Sequence, residues 1–275
     1  LVFEAEDEFP QQQFFLLPHR WDFLIQKRRE SSQPCGWSAR MHRLYWYLTV
    51  DVALHVVLIG LRRWLRSDPL IYAFFKSLVP VTVIRGCKVV DKSQNLLTME
   101  HKLFRHIEVE IFVLRQQLPA AIEFVQQLLR FLTGDQSALR DSTWNDLANH
   151  ELEETVRNGA RYFHHYPICV RKVLADDTLI SMASSPHEPY YAISFISYDR
   201  PSERSSFFAF AKLLVQTTAK LFDARPHWGK YCPIDAATSE RLYPQLNRYR
   251  QVCEQLDPDH VFRNDWAESV IWQKT

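Results

Sequence analysis

At 275 residues, 47% hydrophobic and 24% charged, the chain has the composition of a well-buried globular protein, long enough for one large domain or two small ones. Its 33 basic and 32 acidic side chains nearly cancel, so no global field of one sign exists to recruit nucleic acid or to hold an anionic membrane surface. Cys35, Cys87, Cys169, Cys232 and Cys253 are odd in number and widely spaced, with no C-x-x-C pair, which argues against a secreted disulfide framework and against a zinc knuckle.

Six glycines and no G-x-G-x-x-G or G-x-x-x-x-G-K-[ST] loop make a nucleotide site built within this chain unexpected, because backbone amides cannot approach a phosphate closely without such a loop. The chain begins at Leu1, in mid-pattern, and is expected to be a piece of something longer. Gln11 to Arg29 holds two β-rich apolar runs around Pro18-His19 and predicts strand, turn, strand. Trp37 to Leu78 has helical apolar spacing divided at Ser67-Asp68-Pro69, where aspartate can cap and proline can open a second helix. Leu44 to Leu61 is the most apolar run, but Asp51 and His55 interrupt it and Arg62 and Arg63 follow, which predicts a buried or interfacial helix rather than a spanning one. A cytoplasmic or peripheral-membrane location is expected.

Arg105 to Val113 alternates, with Ile107, Val109, Ile111 and Val113 on one face and His106, Glu108 and Glu110 on the other, the pattern of a half-buried strand. Pro119 then opens a helix with the stripe Ala121, Ile122, Val125, Leu128, Leu129 and Leu132, ended by Gly134. Tyr190 to Tyr198 is strand-like, and Phe207, Phe210, Ala211, Leu214, Thr218 and Leu221 mark another helix. Strands and helices without regular βαβ alternation predict an α+β fold, a largely antiparallel sheet flanked by helices, as one domain over residues 1–275.

Asp223 to Pro233 concentrates Arg, His, Trp and Lys in a segment that Pro226 and Gly229 keep from being an ordinary helix. Two readings stand: a basic loop with Trp228 packed inward, or a site in which Lys230 supplies charge to a developing anion and His227 a donor or proton acceptor. No metal site is expected: His164-His165, His150 with Glu151 and Glu154, and His101 with His106 complete no ligand pattern and read as core or solvated histidines. Lys27-Arg28-Arg29 and Arg62-Arg63 read as solvated faces, and Cys232 and Cys253 as packed thiols.

Arg225-Pro226-His227-Trp228-Gly229-Lys230, followed by a helix over Pro244 to Leu256, Leu-Asp-Pro at Leu256 to Pro258 and Phe262-x-Asn264-Asp265, resembles the C-terminal signature of the FAD-dependent aldonolactone oxidase family, which includes alditol oxidases and belongs to the vanillyl-alcohol oxidase superfamily. The resemblance implies a cap or substrate domain. Its FAD domain would be supplied in the same gene or by a partner chain, and residues 224–275 would pack against it. It implies FAD as cofactor, a sugar-derived substrate oxidised at its CH–OH group, and contacts to both from Lys230, His227, Trp228 and Asn264. A second family motif, Glu-x-Arg on a cap strand before Ala-Asp, resembles Cys169-Val170-Arg171 before Ala175-Asp176, with Cys169 in the glutamate's place and Arg171 as the arginine. Positions 169 and 171 of a strand project to one face. The family's His or Asn on the following strand falls at Ser194. An alternative partner for Arg171 is Asp176 or Asp177, and the loss of a carboxylate at Cys169 raises an alternative function, a catalytically impaired member or binding module that keeps the cap fold.

Overall fold

Each stretch of alternating or helically spaced apolar residues becomes an element in the computed structural model, which describes residues 2–61, 67–97, 105–199 and 201–272. Arg62, Arg63, Met99 and His101 lie outside the described residues. The stretch expected to form one domain divides into two compact units, Leu1–His106 with His164–Ile168, and Ile107–Phe163 with Cys169–Thr275.

In the first unit, β1 (Gln13–Leu16) and β2 (Phe23–Gln26) pair antiparallel with Gln13 opposite Gln26 and Leu16 opposite Phe23. The reversal uses left-handed backbone at His19 and Trp21 (φ 68° and 63°), and the Trp21 N–H closes it on the Leu17 carbonyl at 2.8 Å. Phe14 and Leu16, two apart, are the buried pair of β1, as period two requires. A continuous helix runs over Trp37–Gly60: α1 (Trp37–Trp46), a wider π-helical stretch (Tyr47–Leu54) and α2 (His55–Gly60). It is long and apolar enough, by length and composition, to cross a membrane. Spacings of four, three and four put Trp37, Met41, Leu44 and Leu48 on one face, and all four are exposed. Ala39, His55 and Leu58 are buried; His55 stacks on Tyr166 at 5.7 Å. At the expected break, Ser67 rather than the aspartate caps α3 (Asp68–Ala73), its hydroxyl accepting the Leu70 N–H at 3.4 Å. A π-helical turn (Phe74–Leu78), α4 (Val79–Thr82) and α5 (Ser93–Leu97) follow.

The second unit is built on β3 (His106–Leu114), which is followed by α6 (Leu118–Leu132), α7 (Asp141–Asn149) and α8 (Glu153–Arg157). Then come β4 (Ile168–Val173), β5 (Tyr190–Tyr198), α9 (Pro201–Phe222) and β6 (Arg225–Pro226). The chain closes with α10 (Ala236–Leu242), α11 (Leu246–Leu256) and α12 (Asp265–Val270). These strands lie in the order β4-β5-β3-β6. β4 with β5 and β3 with β6 are antiparallel, and the Arg115 N–H bonds the Pro189 carbonyl at 3.1 Å, joining the end of β3 to the start of β5. The fold is α+β, as expected, with helices flanking largely antiparallel strands.

Period two sorts this sheet into two unlike faces. Val109, Ile111 and Val113 of β3, Ile168 and Val170 of β4 and Ile193 and Phe195 of β5 are all buried. Phe210 of α9 meets Phe195 edge-on at 5.7 Å and stacks on Tyr162 at 4.3 Å, and α6 in turn packs on α9. Gly134, at φ 112°, ends α6 in a conformation a side chain would oppose. The opposite face carries Glu108, Glu110 and Phe112 from β3. It was expected to be solvated; instead Glu110 is 2% exposed, with its carboxylate held by Arg171.

Phe210→Ala removes a ring packed on two others at the centre of this core, and the expected loss of about 3–5 kcal/mol of unfolding free energy is to be read from urea denaturation.

Candidate active site

The second sheet face is where polar and charged side chains from four chain segments meet. Arg171 projects from β4, opposite Ala192 in the β4–β5 register, and Cys169 projects beside it opposite Ser194. The Arg171 guanidinium donates to Glu110 Oε1 at 2.6 Å, and Ser194 Oγ donates to Glu108 Oε1. One strand thus supplies both carboxylates, two residues apart.

The fourth segment is held by the same two residues. β6 pairs with Phe112 and Ile111, and past it the His227 N–H bonds the Glu110 carbonyl at 2.9 Å while the Tyr231 N–H bonds the Glu108 carbonyl at 3.2 Å. A turn between them, Lys230 N–H to the His227 carbonyl at 3.1 Å, brings Lys230 Nζ onto Glu108 Oε2 at 2.5 Å. His227 Nδ1 accepts the Gly229 N–H at 2.9 Å, so the neutral ring carries its proton on Nε2, which stands 4.0 Å from Glu110 Oε2. Phe112, Ala183, Tyr190 and Ala192, with Val173, form an apolar cluster continuous with this charged patch.

The two ion pairs differ in depth. The Glu110 side chain is 3% exposed under a half-exposed Arg171, and the Glu108 side chain is 10% exposed under a one-third-exposed Lys230. A buried carboxylate costs several kcal/mol unless paired and hydrogen-bonded, so Glu110 requires Arg171. The converse also holds: burial works against the charge on Arg171, and the Glu110 carboxylate outweighs it, so the guanidinium pKa is raised. Each cation keeps N–H capacity that one carboxylate does not use. Such a face offers hydrogen-bond donors and acceptors side by side to a hydroxyl, with an apolar surface for the carbon that bears it.

Arg171, Lys230, Cys169, Ser194 and His227, singled out in the sequence, converge here. Trp228 and Asn264 do not join the network. Trp228 turns inward, donating from Nε1 to the Ile180 carbonyl at 2.7 Å and packing on Tyr243 at 4.8 Å. Asn264 caps α12, its Oδ1 accepting the Ala267 N–H at 2.8 Å. In the Asp223 to Pro233 loop, Trp228 is packed inward, while His227 and Lys230 lie on the sheet face. Asp176, a possible partner of Arg171, accepts instead from Thr178 and Ser181.

Comparison with known proteins places this geometry. The chain matches the D-arabinono-1,4-lactone oxidase family over residues 5–270. It belongs to that family. A protein named long-chain alcohol oxidase from an uncultured marine euryarchaeote is 45% identical over 98% of this chain and 57% of its own length. An L-gulonolactone oxidase of Mus musculus is 28% identical over 44% of this chain and 27% of its own. An alditol oxidase of a Streptomyces strain is 38% identical over 18% of this chain and 12% of its own. The chain thus spans little more than half the length of the first of these relatives and less of the others. The family is one of FAD-linked oxidoreductases acting on aldonolactones and sugar alcohols.

Within this member of the family, Glu108 and Glu110 are the site residues that the sequence reading passed over. The available signal was a Glu-x-Glu pair inside a strand whose other face is wholly apolar. Arg225, which opens the family signature, serves the fold: it is buried between the rings of Tyr190 and Tyr243, at 5.0 and 4.9 Å. It also donates to the Leu242 and Ser184 carbonyls at 3.0 and 2.8 Å. A lysine cannot span these acceptors, and each carbonyl left unpaired costs about 1–3 kcal/mol. Arg225→Lys is accordingly expected to lose at least ~2 kcal/mol in chemical denaturation; an unchanged midpoint would contradict the role.

Proposed function

We propose that this chain is the substrate-binding part of an FAD-dependent oxidoreductase that acts on the CH–OH group of an aldonolactone or sugar alcohol, working together with an FAD domain in the same protein or on a partner chain. The observation that carries this reading is the convergence of Arg171, Lys230, Ser194 and His227 on one sheet face through Glu108 and Glu110.

The donor set fits the flavin's polar edge. Lys230 and the Nε2–H of His227 would hold it, since both are partly exposed and directed by fixed backbone contacts. When bound, FAD supplies the two-electron acceptor for the alcohol carbon. The chain's own residues do the rest. Arg171 donates to a substrate hydroxyl oxygen and orients the carbon that bears it. Glu108 and Ser194 offer oxygens that accept from neighbouring hydroxyls, and Phe112, Tyr190 and Ala192 exclude water beneath the carbon. Cys169 stands where the family motif has a carboxylate, so the acceptor oxygens on this face come from β3.

A specific observation favours a second substrate. The relative that aligns with nearly the whole chain is named for a long-chain alcohol, and the apolar cluster beside the charged patch suits an alkyl chain as well as a sugar ring. The exposed stripe Trp37, Met41, Leu44 and Leu48 supports peripheral attachment to a lipid surface, where such alcohols dissolve.

Segment 224–275 presents Leu256, Val261 and Phe262 to solvent on a loop fixed by the Asp257 carboxylate, which accepts the Val261 and Phe262 N–H groups at 2.8 and 2.9 Å. This supports its packing against the FAD domain.

In the full-length, flavin-loaded protein, Lys230→Met is expected to slow single-turnover flavin reduction at saturating lactone, alditol or long-chain alcohol by well over ~10-fold, about 1.4 kcal/mol of barrier. Unchanged reduction would remove Lys230 from the mechanism, and a full-length product that binds no FAD would leave the cap as a binding module. Flotation of the full-length protein with phospholipid vesicles, lost in Leu44→Asp, tests the attachment; recovery of all wild-type protein in the vesicle-free fraction would refute it.

A further inference from the structure

The four charged side chains that meet on the sheet face cancel. Glu110 neutralises Arg171 at 2.6 Å, and Glu108 neutralises Lys230 at 2.5 Å, while His227 Nε2 faces Glu110 Oε2 at 4.0 Å. Neutralisation is not required for burial of the cations, since Arg171 is half-exposed and Lys230 about one-third exposed. The buried partners are the carboxylates. Placing charge in the less solvated position under a more solvated counter-charge is an expensive arrangement for stability alone, because hydrophobic residues of similar size do as well or better. Its effect is on what the face can bind.

We propose that Glu108 and Glu110 set the charge specificity of this face: by cancelling Lys230 and Arg171 they admit neutral hydroxyl compounds and turn away carboxylates, including the open-chain acid that a lactone yields on hydrolysis. The inference rests on reading this face as the substrate site. A hydroxyl accepts from one group and donates to another, so alternating cations and carboxylates satisfy it twice. A carboxylate only accepts, and every approach to Arg171 or Lys230 brings it against Glu110 or Glu108. Ser194 adds to the bias, since its hydroxyl is turned to Glu108 and donates there. Glu108 and Glu110 are thus specificity-determining residues. Removing either charge leaves a cation without its counter-ion and converts the face into an anion site.

The experiment is equilibrium titration of the full-length protein with gluconate and with sorbitol at low ionic strength, which needs no turnover. Wild type should bind gluconate at least ~10-fold more weakly than Glu110→Gln or Glu108→Gln does, and Glu110→Asp, which keeps the charge, should reject gluconate as wild type does. Glu108→Gln, at the less deeply buried carboxylate, decides the matter if Glu110→Gln does not fold. Equal gluconate affinity in wild type and the glutamine variants overturns the inference, as does gain of gluconate binding in Glu110→Asp. Turnover of neutral lactones or alcohols is scored separately. Anion binding gained without wild-type turnover would strike the oxidase reading and leave the charge inference standing, and turnover without such gain would do the reverse.

Discussion

The second unit depends on one residue doing two jobs: Glu110 bonds Arg171 with its side chain and the His227 amide with its carbonyl. The first bond ties β3 to β4 across the intervening β5, and the second fastens the segment that carries Lys230 along the free side of β3. Neither can be loosened alone, because the backbone position of Glu110 sets the direction of its carboxylate. The same logic, one step along the strand, applies to Glu108 with Lys230, Ser194 and the Tyr231 amide. Site and sheet are therefore a single hydrogen-bonded object.

Much of the fold was legible because its cues are local. The alternation in β3, the stripe of α6, the run of β5 and the proline-and-glycine punctuation of the Arg225 to Lys230 loop each declare themselves within a dozen residues. Ser67 took the cap because it stands just before the first helical residue, with extended backbone that aims its hydroxyl at the Leu70 amide.

The site was half legible for a physical reason. Arg171, Lys230, Cys169 and Ser194 could be named from local motifs, but their connections span 61, 86 and 122 residues of sequence. A glutamate on the polar side of an alternating strand looks solvated until one knows what crosses over it. Trp228 and Asn264 are residues inside a family signature that also serve the fold, one bonded to an inner carbonyl and the other capping a helix. A signature preserves the shape of a loop as well as its chemistry, and sequence alone does not separate the two.

The two unlike faces of β3 make that strand a ruler. One residue inserted between His106 and Glu108 would turn both carboxylates under α9, away from their cations, and push valine and isoleucine into the polar face. Two residues inserted would restore the faces but move one carboxylate into the other's station and the other carboxylate beyond it, breaking the match of spacing to Arg171 and Lys230. The residues on this strand can be exchanged one at a time, and each exchange retunes the charge of the face. Its length cannot be. A carboxylate on this face can therefore stand on one strand or on another, but not at another height along its own.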